Sequence, residues 1–135
     1  MIVVDTNIIA YLFISGEHSK HAENVLLKDP QWAAPLLWRS ELRSVLSQYI
    51  KKELLSLEDT VDIMENASQL MENNEYDVNS RLVLTLAEQS GLSTYDCEFI
   101  ALAQDLSVKF VTADKIIAEA FPEMTLPLHS FNGKA

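Results

Sequence analysis

The chain contains few residues of the kinds that cross-link or interrupt a small protein. Its 135 residues include one cysteine, three glycines and four prolines. A single cysteine, Cys97, excludes an internal disulfide, so we expect a reducing, cytoplasmic environment and a thiol packed as a small apolar side chain. Because 48% of the residues are hydrophobic, the chain can bury a core without cross-links. Its length predicts a single domain over residues 1–135.

Long apolar runs and targeting signals are also missing. No run reaches the roughly 18 apolar residues that a membrane-spanning helix needs. The first residues lack the basic region and the small-residue cleavage site of a signal peptide. We therefore expect no association with a membrane.

Basic residues are in short supply. Ten Lys and Arg stand against twenty Asp and Glu, for a net charge of −10. Such a balance argues against nucleic acid as a ligand, because phosphates are normally bound by a basic surface. The argument weakens if some of the acids hold divalent cations, since bound cations reverse the local electric field.

Strand-like and helix-like segments alternate along the chain. Alternation of this kind predicts an α/β fold with a mainly parallel sheet, which binds ligands at the carboxyl ends of its strands. In the helix that begins near Ser56, Leu57, Val61 and Met64 are expected to face the core. Apolar runs predict strands at 2–4, 31–35, 75–78, 108–112 and 126–131. Periodic apolar residues and capping signals predict helices at 6–14, 18–28, 36–52, from Ser56 onward, 79–90, 93–105 and 113–121.

Four carboxylates lie where such a fold could bring them together. Asp5 follows the first predicted strand, and Asp114 follows "VKFVT" by two residues. Asp96 lies in the first turn of a helix, and Glu41 lies at the margin of the apolar face of helix 36–52. In a parallel sheet flanked by helices, all four can converge at one edge.

Each carboxylate also has a purely structural explanation. Asp5 and Asp114 are suited to cap the helices that follow them. Asp96 stands three residues after Ser93, in a pattern that resembles a capping box. Glu41 is explained equally well as a solvated residue between two arginines.

A shared site for these four acids would need a cation. Several ionised carboxylates at close range repel one another, and a bound hard cation relieves the repulsion. Oxygen ligands suit Mg²⁺ or Mn²⁺ rather than zinc. The three histidines and Cys97 show no spacing typical of a zinc site.

Three segments, "VVDTNIIAYL", "LSTYDCEFIALA" and "FVTAD", together resemble the PIN-domain family, and most closely its VapC-type toxin ribonucleases. The resemblance extends over essentially the whole chain, with the motifs in the same order and at the same spacing. It implies a three-layer α/β/α sandwich with a central mainly parallel sheet. It also implies hydrolysis of RNA phosphodiester bonds with Mg²⁺ or Mn²⁺ as cofactor.

The resemblance assigns roles to individual residues. Asp5 and Asp96 would coordinate the principal ion, and Glu41 and Asp114 would complete its shell directly or through waters. The polar residues that would orient these carboxylates are Thr6, Asn7 and Thr112.

The resemblance further implies three partners: an RNA substrate, an antitoxin protein whose tail blocks the acidic site, and a second copy of the chain. Arg39, Arg43 and Lys115 could hold RNA phosphates, although salt bridges to nearby acids explain them equally well. Trp32 and Trp38 are expected to pack in the core or against another subunit.

Two other functions remain open. The chain could be a catalytically idle PIN-like domain that binds RNA or protein, as its net negative charge suggests. It could also be a phosphatase that uses Asp5 as nucleophile, but haloacid-dehalogenase-like enzymes carry a second aspartate two residues later, where this chain has Asn7.

Overall fold

The centre of the fold is a five-stranded sheet. The computed structural model describes residues 1–131. The strands are β1 (Ile2–Val4), β2 (Trp32–Pro35), β3 (Glu75–Tyr76), β4 (Phe110–Thr112) and β5 (Thr125–Pro127). Their order is β3-β2-β1-β4-β5, and all four neighbouring pairs are parallel. The predicted parallel sheet is therefore confirmed.

Helices connect the strands, close to the predicted boundaries. Residues 1–131 contain α1 (Thr6–Phe13), α2 (Ser19–Lys28), α3 (Leu37–Lys51), α4 (Leu57–Leu70), α5 (Ser80–Ser90), α6 (Thr94–Leu106) and α7 (Lys115–Ala120). The end of α5 has a clear local cause: Gly91 adopts φ +75°, a left-handed conformation that glycine reaches without strain. None of the helices in this part of the chain is long and apolar enough to cross a bilayer.

The connections explain the layered architecture. Helices α1 and α2 connect β1 to β2, and α3 and α4 connect β2 to β3, so the sheet first grows on one side of β1. Helices α5 and α6 then connect β3 to β4, which lies on the other side of β1. Because parallel crossovers are almost always right-handed, reversing the direction places the two helix groups on opposite faces of the sheet. The packing of α1 on α2 and α3, and of α5 on α6, agrees with this grouping. The predicted three-layer α/β/α sandwich is confirmed.

The three inner strands, β2, β1 and β4, are short but fully buried. Every residue of β1 and β4 is buried, as a central strand covered on both faces requires. Trp32 and Trp38 are both 0% exposed, so the expectation that the tryptophans pack in the core is confirmed. Cys97 is equally buried, as expected for a thiol that packs as an apolar side chain.

The prediction for the apolar face of α4 was wrong in part. Leu57 and Val61 remain 64% and 43% exposed, whereas Thr60 and Ala67 are buried. The physical reason is that α4 packs mainly on α3 and α1, so only a narrow stripe of the helix is covered. The predicted strand at 126–131 is also shorter, because β5 ends at Pro127 and a 3₁₀ turn follows.

Candidate active site

A cavity of about 280 Å³ opens at the carboxyl ends of β1 and β4. This is the point where the strand order reverses, at which α/β sheets usually bind ligands. All four carboxylates singled out from the sequence line this cavity. Its lining consists of Asp5, Thr6, Asn7, Glu41, Ser44, Val45, Asp96, Phe99, Phe110, Asp114 and Ile117.

Asp5 lies at the base of the cavity and is only 8% exposed. One carboxylate oxygen, Oδ1, caps α1 by accepting the backbone N–H of Ile8 at 3.2 Å. The other, Oδ2, accepts the hydroxyl of Thr112 at 2.5 Å and the N–H of Ala113 at 3.3 Å. Asp5 therefore does have the capping role that its position suggests, and it is also tied to the end of the neighbouring strand.

Thr112 connects two of the acids. While its hydroxyl donates to Asp5, the same oxygen accepts the backbone N–H of Asp114 at 3.0 Å. Asp114 in turn caps α7, because its Oδ1 accepts the N–H groups of Ile116 and Ile117 at 2.8 and 3.1 Å. Within residues 1–131, the second oxygen of Asp114 accepts no hydrogen bond, so it is free to bind a ligand at the cavity.

Glu41 reaches the cavity from α3. It is half-buried, and its Oε1 accepts the hydroxyl of Thr6 at 2.6 Å. Thr6 is the first residue of α1, directly after Asp5, so this bond fixes Glu41 relative to the end of β1. Glu41 is therefore not the solvated residue of the structural alternative.

Asp96 has the least constrained carboxylate of the four. Ser93 caps α6 by accepting the backbone N–H of Asp96 at 3.1 Å. In a full capping box the acid would reach back to the N–H of Ser93. No such bond forms within residues 1–131, and the side chain of Asp96 faces the cavity instead.

Burial makes two of these acids harder to ionise. Loss of solvent raises the pKa of Asp5, and hydrogen bonds from Thr112 and from backbone N–H groups offset this only in part. Burial also raises the pKa of Glu41 against the opposing hydrogen bond of Thr6, and the charges of Asp5, Asp96 and Glu98 raise it further. The cavity thus concentrates negative charge where water is partly excluded.

Within residues 1–131, no cationic side chain pairs with the four acids Asp5, Glu41, Asp96 and Asp114. Nor do three or more His, Cys, Asp or Glu side chains of the described residues form a group arranged to hold a metal ion. Mg²⁺, however, commonly keeps several waters and binds through one or two carboxylates. The oxygen-only lining therefore fits a hydrated Mg²⁺ or Mn²⁺ rather than an ion enclosed by several carboxylates.

Asn7 does not behave as the resemblance implies, and Glu98 acts on the site from outside the cavity. Asn7 lines the cavity, but its exposed side chain makes no hydrogen bond to a carboxylate within residues 1–131. Glu98 does not line the cavity, yet its charge acts on Glu41. Burial raises the pKa of Glu98 itself.

Two of the three basic residues that could hold phosphates, Arg39 and Arg43, do not line the cavity. Arg39 forms a two-point ion pair with Glu75, at 2.5 and 2.9 Å, and is thereby tied to β3. Arg43 lines a groove between α3 and α4 together with Glu65. Lys115 is exposed beside Asp114 and forms no ion pair with any residue in 1–131. The salt-bridge explanation therefore holds for Arg39.

Sequence analysis did not identify the residues that extend the site along two helices. Val45 and Tyr49 follow Glu41 at intervals of four on α3, and Tyr11 follows Asn7 by four on α1. These spacings place them on the same helix faces as the site residues, a signal present in the sequence. They line a second cavity that meets the first at Asn7 and Val45.

Comparison with known families agrees with this geometry. The sequence profile of the PIN domain matches residues 2–121. The chain belongs to the PIN-domain family. The match includes all four carboxylates of the cavity.

Individual PIN proteins resemble the chain over nearly its full length. It is 26% identical over 129 residues to a protein named Ribonuclease VapC3 from Pyrobaculum aerophilum, covering 93% of this chain and 98% of that protein. Its fold matches FitAcB from Neisseria gonorrhoeae with a TM-score of 0.74 at 16% identity, over 96% of this chain and 99% of the other. A toxin–antitoxin complex from Klebsiella pneumoniae matches with a TM-score of 0.67 at 20% identity, over 95% and 98% of the two chains.

Proposed function

We propose that this PIN-domain protein is a ribonuclease that hydrolyses RNA phosphodiester bonds with Mg²⁺ or Mn²⁺, and that it is the toxin of a type II toxin–antitoxin pair. The observation that carries the proposal is the convergence of Asp5, Glu41, Asp96 and Asp114 on one cavity, whose lining among the described residues includes no Lys or Arg. The relative named as a ribonuclease supports the choice of RNA.

The four carboxylates are assigned different contacts with the cation. Asp96 and the free oxygen of Asp114 face the cavity without hydrogen-bond partners among the described residues. We assign direct coordination to Asp5 and Asp96, and contact through water or directly to Glu41 and Asp114. When bound, a divalent cation supplies Lewis acidity that activates water and offsets charge on the phosphoryl oxygens.

Glu41 is suited to move a proton. Its Oε1 is occupied by the hydroxyl of Thr6, which leaves Oε2 to accept a proton from an attacking water. Its raised pKa makes it a stronger base than an exposed glutamate. Thr6 and Thr112 keep Glu41 and Asp5 in position through hydrogen bonds of 2.6 and 2.5 Å.

The proposed partners follow from the same comparison. We propose an antitoxin partner that places a cationic side chain in the acidic cavity. We also propose that the protein is cytoplasmic and that residues 1–135 form one domain. A second copy of the chain is a further proposed partner. Leu54 and Leu57, each 64% exposed at the junction of α3 and α4, support a protein contact there.

Cleavage of single-stranded RNA by the purified full chain tests the proposal. Wild-type protein with Mn²⁺ should cut RNA, and EDTA should stop the reaction. Asp5→Asn should lower the rate at least roughly 100-fold, because it removes a charged ligand while keeping the side-chain shape. Asp105→Asn is the matched control, since Asp105 is exposed on α6 outside the cavity. Undiminished activity in Asp5→Asn, or an inert wild type, contradicts the proposal and favours an idle binding domain.

A further inference from the structure

A groove with aromatic walls leads away from the acidic cavity. Its volume is about 320 Å³, at the lower end of the range for small-ligand pockets. Two of its lining residues, Asn7 and Val45, also line the acidic cavity, so the two spaces adjoin. Tyr11, His18 and Tyr49 supply rings to its walls. We call this space the aromatic groove.

Two of these rings, Tyr11 and His18, already lie close to each other. The centroids of Tyr11 and His18 are 4.7 Å apart with planes tilted by 35°. The imidazole of His18 is nearly half exposed, at 45%, so one part of its surface is open. Flat π-systems such as nucleobases stack on exposed aromatic rings of this kind.

The position of Tyr11 ties the groove to the acidic cavity. Tyr11 lies one turn after Asn7 on α1, and Asn7 lines both spaces. Burial raises the pKa of Tyr11, and the negative charge of Asp5 raises it further. Its protonated hydroxyl is available as a hydrogen-bond donor.

The wall formed by the α1–α2 connection is held in shape by its own hydrogen bonds. The hydroxyl of Ser19 donates to the carbonyl of Ile14 at 3.0 Å and accepts the N–H of Gly16 at 2.9 Å. His18 is therefore carried by a closed turn, which limits the conformational entropy that a ligand would have to remove.

We propose that the aromatic groove holds an unpaired nucleobase of the RNA next to the phosphate cleaved in the acidic cavity. This inference rests on the proposed ribonuclease function. A base within a duplex is stacked and paired, and it cannot enter a side groove without being extruded. Among the residues that line the groove, Glu17 is the only acid. The outer face of α4 carries several acidic residues, so the groove is the less acidic path for RNA.

Binding of nucleotide fragments without metal tests the groove separately from catalysis. In the presence of EDTA, AMP, GMP, CMP and UMP are titrated into isotopically labelled wild-type protein, with ribose 5-phosphate as the control lacking a base. The nucleotides should shift the ring resonances of Tyr11, His18 and Tyr49, and ribose 5-phosphate should not. Equal shifts with ribose 5-phosphate, or none in these rings, overturn the proposal.

Variants of one exposed ring test its contribution to RNA binding. His18→Ala should raise KM for single-stranded RNA roughly 5- to 20-fold with little change in kcat, because stacking on one ring is lost. His18→Phe should recover most of this loss, because a ring is restored. His129→Ala is the matched control: His129 is exposed in the 3₁₀ turn after β5, does not line the groove, and should leave KM unchanged.

The results separate this inference from the proposed function. If wild-type protein cleaves no RNA but the bases still shift the three rings, the ribonuclease proposal fails and a base-binding groove remains. If RNA is cleaved but His18→Ala keeps a wild-type KM, or a matched duplex is cut equally well, the groove proposal fails alone. An effect of His18→Ala that is confined to binding of a protein partner also overturns it.

Discussion

Two helices of this protein begin with the same local pattern, a serine followed three residues later by an aspartate. In α4, Ser56 and Asp59 bond reciprocally, each side chain accepting the other's backbone N–H at 3.0 Å. In α6, Ser93 accepts the N–H of Asp96, but Asp96 does not return the bond. The α4 box is complete and exposed to solvent. The α6 box is half-formed, and its carboxylate faces the acidic cavity.

The difference shows how a structural acid and a site acid are told apart. The backbone N–H of Ser56 lowers the pKa of Asp59, so the ionised form already has its partner. Asp96 lacks one among the described residues and adds to the charge that raises the pKa of Glu41. An identical sequence pattern thus ends in a helix cap in one place and in an unsatisfied charge in the other.

Replacing each of the two aspartates by asparagine should give the largest difference in RNA cleavage. Asp96→Asn should reduce RNA cleavage by on the order of 10³-fold, because it removes one of the carboxylates proposed to bind the cation directly. Asp59→Asn, the matched change in the complete box, should leave the rate unchanged. The measurement is the initial rate of RNA cleavage with Mn²⁺, and similar losses in both variants would mean that α6 contributes only stability.

Divalent cation should stabilise the protein through one of these helices only. At a Mn²⁺ concentration 100 times its Kd, binding to the folded state contributes about 2.7 kcal/mol, a rise in Tm on the order of 10 °C. Asp96→Asn should reduce this rise, and Asp59→Asn should retain it. Thermal unfolding with Mn²⁺ or EDTA provides the measurement, and equal rises in the two variants would contradict the site assignment.

The two capping serines should be worth similar amounts of stability. Ser56→Ala and Ser93→Ala each remove one acceptor for a helix N-terminal N–H, which costs about 1 kcal/mol. Only Ser93→Ala should also slow RNA cleavage, since Ser93 holds the turn that carries Asp96. Urea unfolding followed by activity assays separates these effects; slower cleavage in Ser56→Ala would count against the comparison.

The smallest effect is expected in the pH dependence of stability, measured in EDTA. Because folding lowers the pKa of Asp59, its contribution to stability is present above its ordinary pKa of 3.8. That contribution is lost as pH falls through the pKa of the folded state. The raised pKa of Glu41 makes stability depend on pH in the opposite direction. Its protonated form favours folding, so stability falls as pH rises from the ordinary pKa of 4.5 through the pKa of the folded state.

Two variants therefore should change the stability curve in opposite directions. Relative to wild type, Asp59→Asn should lose stability toward neutral pH, and Glu41→Gln should gain it. Urea midpoints between pH 3.5 and 7 provide the measurement. Parallel curves for the two variants would show that burial of Glu41 has no energetic consequence.

Much of the fold could be predicted from local sequence. The runs "IVV" and "VKFVT" form β1 and the part of the chain that contains β4, and the alternation of strands and helices predicted the parallel sheet. Signals that act over three or four residues suffice for such elements. Predictions failed where packing decided, as for Leu57 and Val61, because periodicity cannot show which neighbour covers a helix.

The candidate site was predictable in its members but not in its chemistry. The four acids and the two threonines were identified from strand ends, helix positions and family motifs. The structure places the acids and Thr6 around one cavity, and Thr112 donates a hydrogen bond to Asp5 at its base. The site chemistry depends on contacts between residues 35 to 107 positions apart in the chain. These are the hydrogen bonds of Thr6 to Glu41 and of Thr112 to Asp5, and the ion pair of Arg39 with Glu75. Such pairs are set by the order of the strands.

The amino-acid sequence by itself determined where strands and helices begin, which residues can cap them, and that the chain is a PIN domain with four acids in the order of that family. The tertiary structure alone decided which distant residues bond to the site acids, such as Thr112 to Asp5 and Thr6 to Glu41, and which rings line the aromatic groove. The physical reason is that capping depends on neighbours in the chain, whereas desolvation and charge repulsion depend on groups brought close only by folding.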